Sequence, residues 1–122
     1  MYGLDPSTDV SLLVGCTLDH VGVGRHQVSL AMAGNPYPHC SLTIEGDFVV
    51  GSRDGTLRTF SDAVKGSGAI TPLLSLTIVA ADIPENGRLR IGLSDGSVIE
   101  ALDSETHYES YQLSLGEQLI VV

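Results

Sequence analysis

The sequence predicts an α+β domain dominated by antiparallel strands, with one short helix. Three observations carry that prediction. Apolar and polar residues alternate with period two at 40–45 and 89–94, the pattern of half-buried strands. Turn signals rich in glycine and aspartate, among them Asp54-Gly55 and Asp95-Gly96, punctuate the chain at short intervals. One helix start stands out, Thr71-Pro72, with threonine as N-cap and proline at the first helical position. A chain of 122 residues with 43% hydrophobic content implies a single domain over 1–122, large enough to bury about two-thirds of its extended-chain surface.

Asp5-Pro6-Ser7-Thr8-Asp9 is a turn-rich entry, and a first strand is expected over 12–21. Gly22-Val23-Gly24 then serves as a loop into a second strand, 25–33. Placing Cys16 and Leu18 on the same face as Val28 and Leu30 pairs Leu18 with Val28 through that three-residue loop. The same register sets His20 directly opposite His26, about 5 Å apart at Cβ, where two imidazoles share a metal or a proton.

Residues 34–38, with two prolines, form a loop. Cys40, Leu42 and Ile44 define one face of a third strand. Gly46-Asp47 bends the chain, and Phe48-Val49-Val50 continues that strand or returns along it. Arg53-Asp54-Gly55 turns into 57–60. Residues 61–68 lack a period and are glycine-rich, which predicts a mobile loop with at most one helical turn at 61–65. The expected helix occupies 72–76 and the next strand 77–81, before a turn at 83–87.

Residues 87–112 carry the clearest hairpin. Leu89, Ile91 and Leu93 alternate with Arg90, Gly92 and Ser94, and Asp95-Gly96 supplies the positive φ of a tight turn. A two-residue loop would set Ile91 opposite Glu100 and bring a carboxylate onto the apolar face. A three-residue loop sets Leu93 opposite Ile99, Ile91 opposite Ala101, and Glu100 toward solvent. Desolvating an unpaired carboxylate costs several kcal/mol, so the three-residue register is favoured. A turn at 103–105, a strand through 107–112, a turn at 114–116 and a last apolar strand at 117–122 complete a meander. Together the strands are expected to form a curled sheet or a small open barrel around the helix.

The run Gly87-Arg-Leu-Arg-Ile-Gly-Leu-Ser-Asp-Gly-Ser-Val-Ile99, followed by Tyr108-Glu-Ser-Tyr-Gln112, resembles an uncharacterised family of small bacterial domains. Its pattern is G-x-L-x-L-x-F-x-D-G-x-x-L, then Y-E-A-W-E. Leu93 stands where that pattern has an aromatic, and Tyr111 and Gln112 stand where it has Trp and Glu. The resemblance implies an α+β domain in the bacterial cytoplasm with Ile99 facing inward, and it implies no activity.

Formal net charge is −9 with a single lysine, Lys65, and from Ile91 onward there are six acidic residues and no lysine or arginine. That field repels phosphate backbones, which argues against nucleic acid, and it suits a basic protein partner. No stretch approaches the roughly 18 apolar residues of a membrane span. The first nine residues have no signal-peptide pattern, so a cytoplasmic location is expected. Cys16 and Cys40 lack C-x-x-C spacing; they read as buried thiols, or as a cross-strand disulfide under oxidising conditions.

No phosphate loop, H-E-x-x-H helix, nucleophile elbow or zinc-ribbon spacing occurs, and no cofactor is implied. Two clusters remain. His20 and His26 are the candidate metal or acid–base pair. Tyr108, Glu109, Tyr111, Glu100, Glu105 and His107 are the candidate binding surface, since tyrosines bury large area at small entropic cost. The expected function is therefore a non-enzymatic acidic binding module, of the inhibitor or immunity type, for a basic protein. The alternatives are a small enzyme using His20 and His26, and a domain that self-associates through its last, edge strand.

Overall fold

The computed structural model describes residues 7–34, 39–85, 87–103 and 110–122. Among them are ten strands: β1 (Thr17–Val23), β2 (Val28–Ala33), β3 (His39–Ile44), β4 (Phe48–Gly51), β5 (Leu57–Phe60), β6 (Ile78–Asp82), β7 (Leu89–Leu93), β8 (Val98–Ala101), β9 (Tyr111–Leu115) and β10 (Gln118–Val121). One helix, α1 (Ala63–Ile70), follows β5, and 3₁₀ turns occupy Ser11–Leu13 and Thr71–Leu73. The class is the expected β-dominated α+β.

The strands form two antiparallel five-stranded sheets, ordered β1-β2-β3-β9-β10 and β5-β4-β8-β7-β6, and they do not close into a barrel. The division occurs at Gly46-Asp47. The chain there neither continues β3 nor returns along it; it crosses to the second sheet, while the Glu45 and Gly46 N–H groups donate to the Ser110 carbonyl at 2.9 and 2.8 Å. Leu18, Leu30, Leu42, Ile44 and Leu113 from the first sheet share one core with Phe48, Val50, Leu89, Ile91 and Ile99 from the second.

Two of the four sheet edges are joined over part of their length, at the starts of β1 and β6. Thr17 forms an isolated bridge with Thr77. The N–H groups of Leu18 and Ile78 donate to Leu76 and Cys16 carbonyls at 2.9 and 2.7 Å. Edge backbone groups that would otherwise template foreign strands are thereby satisfied.

The helix lies where the sequence predicts a loop. The Asp62 carboxylate accepts from the Val64 and Lys65 N–H groups at 2.9 and 3.3 Å, which caps α1 and lowers the cost of its first turn. Its glycines are not all there for flexibility. A Cβ on Gly66 would lie inside the Phe48 ring, 2.8 Å from Cε2, and 2.9 Å from Phe60 Cβ. Glycine here permits close packing of helix on sheet. Thr71, expected to start the helix, ends it instead: its N–H donates to the Ser67 carbonyl, and Pro72 begins only a 3₁₀ turn.

The β1–β2 register also differs from expectation. Leu18 pairs with Met32, not Val28, and His20 pairs with Ala31. Strand β1 runs on through Gly22 to Val23, and the loop is 24–27, closed by Gly24 N–H to the Gln27 carbonyl at 2.8 Å. A bulge between Leu18 and His20 keeps Leu18 in the core and puts Asp19 and His20 both outside. The β7–β8 hairpin does have a three-residue loop, but it is Ser94-Asp95-Gly96. Ile91 pairs with Ile99 and Leu89 with Ala101. The turn starts one residue early because Leu93 N–H donates to the Ser97 carbonyl at 2.8 Å and the Asp95 carboxylate takes the Ser97 N–H at 2.8 Å. Glu100 still faces away from the core, beside Arg90.

Candidate functional site

The predicted histidine pair is not assembled. His26 sits in the 24–27 loop, whereas His20 is three residues inside the β1 ladder, a displacement of about 10 Å along the strand. Both are exposed, and no cluster of three or more His, Cys, Asp or Glu side chains suited to a metal occurs among the described residues. His26 instead lines a cleft of about 520 Å³ with Arg25, Glu45 and Asp62 over a floor that includes Phe48. Arg25 and His26 share its lining with two carboxylates, of which Asp62 is already committed to capping α1.

The predicted tyrosine–carboxylate surface is divided as well. Glu105, His107, Tyr108 and Glu109 lie outside the described residues. Tyr111 is a correction: it is completely buried, and its hydroxyl donates to the Gly87 carbonyl at 3.0 Å, so it is a core residue and not a contact for a partner. Burial, reinforced by the Asp103 carboxylate, pushes its phenol well above the ordinary range. Gly87, at φ +82°, has no alternative there, because a Cβ would lie 2.7 Å from Asp103 Cβ. Glu100 is spoken for too. Its Oε2 lies 3.2 Å from Arg88 Nε, a charge contact out of hydrogen-bond alignment, and Arg88 also reaches Glu85 at 3.2 Å.

The two cysteines are buried and unbonded. The Cys16 thiol donates to the Leu12 carbonyl at 3.4 Å, and burial, then the neighbouring Cys40 thiol, pushes its pKa up.

The feature that sequence reasoning missed is the contrast between the two outer faces. Opposed residues in antiparallel strands share a face, so the registers define rows across each sheet. On the second sheet one row runs Thr59–Val49–Glu100–Arg90–Asp82, and Arg90 holds Asp82 through two hydrogen bonds of 3.1 and 2.7 Å. On the first sheet the rows run Gly22–Ser29–Thr43–Gln112–Val121 and His20–Ala31–Ser41–Ser114–Leu119. All ten are at least partly open to solvent, and none is Asp, Glu, Lys or Arg. In a chain of net charge −9 this is a broad neutral platform, with Asp19 and Glu117 at its rim. The period-two pattern of β2, β3 and β9 was the available signal; what it lacked was the strand order that sets β3 beside β9.

No helix among the described residues is long and apolar enough to cross a membrane. No curated protein and no solved structure matches the chain significantly. The model of a family of unknown function, DUF6188, matches residues 10–122, which hold both sheets and α1, and the chain belongs to that family.

Proposed function

We propose that this domain is a non-enzymatic binding module for a basic protein, and that the partner seats on the outer face of the first sheet. The observation that carries the reading is the neutral platform of Ser29, Thr43, Gln112, Ala31, Ser41 and Ser114 on a strongly acidic chain. Protein interfaces combine a core depleted of charge with a polar rim, and Asp19 and Glu117 supply such a rim. The negative field draws a cationic partner from solution, while hydroxyls, an amide and small apolar groups meet it at contact. The reading places the domain in the cytoplasm, where the Cys16 and Cys40 thiols stay reduced.

The test is capture from a lysate of the native organism by tagged domain, at low and high salt. A stoichiometric basic protein that salt releases is expected. Ser41→Arg, at the centre of the platform, should weaken its retention by at least about 100-fold, since like charges facing each other cost several kcal/mol. Thr59→Arg, on the other sheet, should leave it unchanged. Retention that ignores Ser41→Arg, or no basic protein retained at low salt, overturns the reading.

A further inference from the structure

We infer that β10 is a self-pairing edge, and that two copies of this chain join there into one continuous ten-stranded sheet. The inference stands on the backbone of β10 and does not require the partner proposed above.

β1 and β6 are joined at their starts through Thr17 and Thr77, and each carries a bulge just beyond that bridge. The edges with neither bridge nor bulge among the described residues are therefore β5 and β10. Tyr111 and Val122 exchange two hydrogen bonds, of 3.3 and 2.9 Å. Mutual pairs alternate along an antiparallel ladder, so 113/120 and 115/118 are also mutual, while 112/121 and 114/119 are not. The N–H and C=O groups of Leu119 and Val121 therefore point away from β9, toward the open edge. Natural proteins guard such an edge with lysine, proline or a bulge. Gln118-Leu119-Ile120-Val121 carries none of these, and Leu119 is 62% exposed. The β5 edge is different: Arg58 stands in its middle, 5.0 Å above the Phe60 ring.

The occupant that fits is a second copy. A two-fold axis at Ile120 sets Leu119 opposite Val121 of the other copy, and Val121 opposite its Leu119. Both are mutual positions, giving about four new backbone hydrogen bonds. Leu119 and Val121 lie on the outer face, so each exposed leucine gains an apolar cross-strand neighbour. Charge permits this contact where it forbids others on a −9 chain. The nearest acidic side chain in sequence, Glu117, would stand about 20 Å along the strand from its symmetry mate, beyond the screening length of about 8 Å at physiological salt. The contact is isologous and closes at two copies. It also joins two neutral platforms edge to edge.

Sedimentation equilibrium of the purified full chain tests it. The mass should rise from 12.8 kDa toward twice that value as concentration increases to about 1 mM. Val121→Pro deletes one outward N–H while sparing the β9 ladder, and should weaken association by at least about 10-fold. Cysteine scanning reads the register even if that variant folds poorly. Ile120→Cys should give a covalent dimer on mild oxidation, because Ile120 faces itself across a close, non-hydrogen-bonded pair. Leu119→Cys alone should not, but should cross-link when mixed with Val121→Cys. A mass fixed at 12.8 kDa throughout, a mass growing beyond two copies, or equal cross-linking of Leu119→Cys and Ile120→Cys would each overturn the inference.

Discussion

Gly66 and Gly68 sit two residues apart in α1, and the structure assigns them opposite responses to the same substitution. Glycine in a helix interior costs about 1 kcal/mol relative to alanine. Gly68 is exposed, and a methyl group there would have nothing within 4 Å, so Gly68→Ala should recover most of that amount. At Gly66 the same methyl meets the Phe48 ring and comes within 2.9 Å of Phe60 Cβ. Phe48 cannot step aside, being 1% exposed and only 5.6 Å from the Phe60 ring centre to centre. Overpacking of this kind costs about 3 kcal/mol at the upper end of its range, leaving a net loss of about 2 kcal/mol after the helical gain. For a chain this size, about 4 °C per kcal/mol separates the variants: Tm up by about 3 °C for Gly68→Ala and down by about 8 °C for Gly66→Ala. Thermal and urea unfolding would measure both. Adding Phe48→Leu should rescue part of the Gly66→Ala loss, a coupling that independent sites would not show. If Gly66→Ala proves as stabilising as Gly68→Ala, the close approach of helix to sheet is wrong, and with it the explanation of why 61–68 reads as a loop.

Further expectations concern the groups that hold the candidate surface elements in place. Tyr111→Phe leaves the Gly87 carbonyl without its 3.0 Å donor and should cost about 1 kcal/mol in urea unfolding. The same residue sets an alkaline limit. Its pKa is raised in the folded state, so its contribution is fully present below the unfolded value of about 10 and is lost as pH climbs through the folded value. The fall in stability measured above pH 10 should be shallower in Tyr111→Phe. Glu100→Gln should cost about 1 kcal/mol, discounted for the partial exposure of Arg88, and less at high salt; Glu85→Gln, whose side chain is 67% exposed, should cost almost nothing. Cys16 and Cys40 should resist a thiol reagent in the native state and react only on unfolding, read as a rate that rises with denaturant.

The sequence carried the class and much of the core because period-two alternation is a direct trace of burial. Leu42 and Ile44 in β3, and Leu89, Ile91 and Leu93 in β7, are buried as their alternation predicts. Glu100 illustrates a conclusion that survives a shifted register: desolvation keeps a carboxylate off the apolar face whichever residue opens the turn. What could not be read has local causes. Strand β1 runs on to Val23 and turns at 24–27 rather than 22–24, which gives His20 the partner Ala31. The bulge between Leu18 and His20 then shifts the pairing of Leu18 by one residue. The α1 helix hides behind glycines whose reason is Phe48, which is 18 residues away from Gly66 in sequence. Tyr111 reads equally well as a contact residue or as core, since an amphipathic ring serves both, and only the placement of Gly87 decides.

Charge, the most conspicuous property of the sequence, has two separate uses once it is placed in three dimensions. Many carboxylates are consumed locally. Asp9, Asp54 and Asp95 accept the N–H of the residue two positions on, Asp62 caps α1, Asp103 accepts from the Ser110 hydroxyl, and Asp82, Glu85 and Glu100 pair with arginines. These groups build turns and bind the second sheet together. Their summed field nevertheless extends beyond the surface, whereas the first sheet keeps its outer rows neutral. Attraction at a distance and contact at close range are therefore assigned to different parts of the molecule. For a partner seated on the platform, added salt should weaken the complex chiefly by slowing association, with a smaller effect on its lifetime, because this domain's own groups at the contact are uncharged.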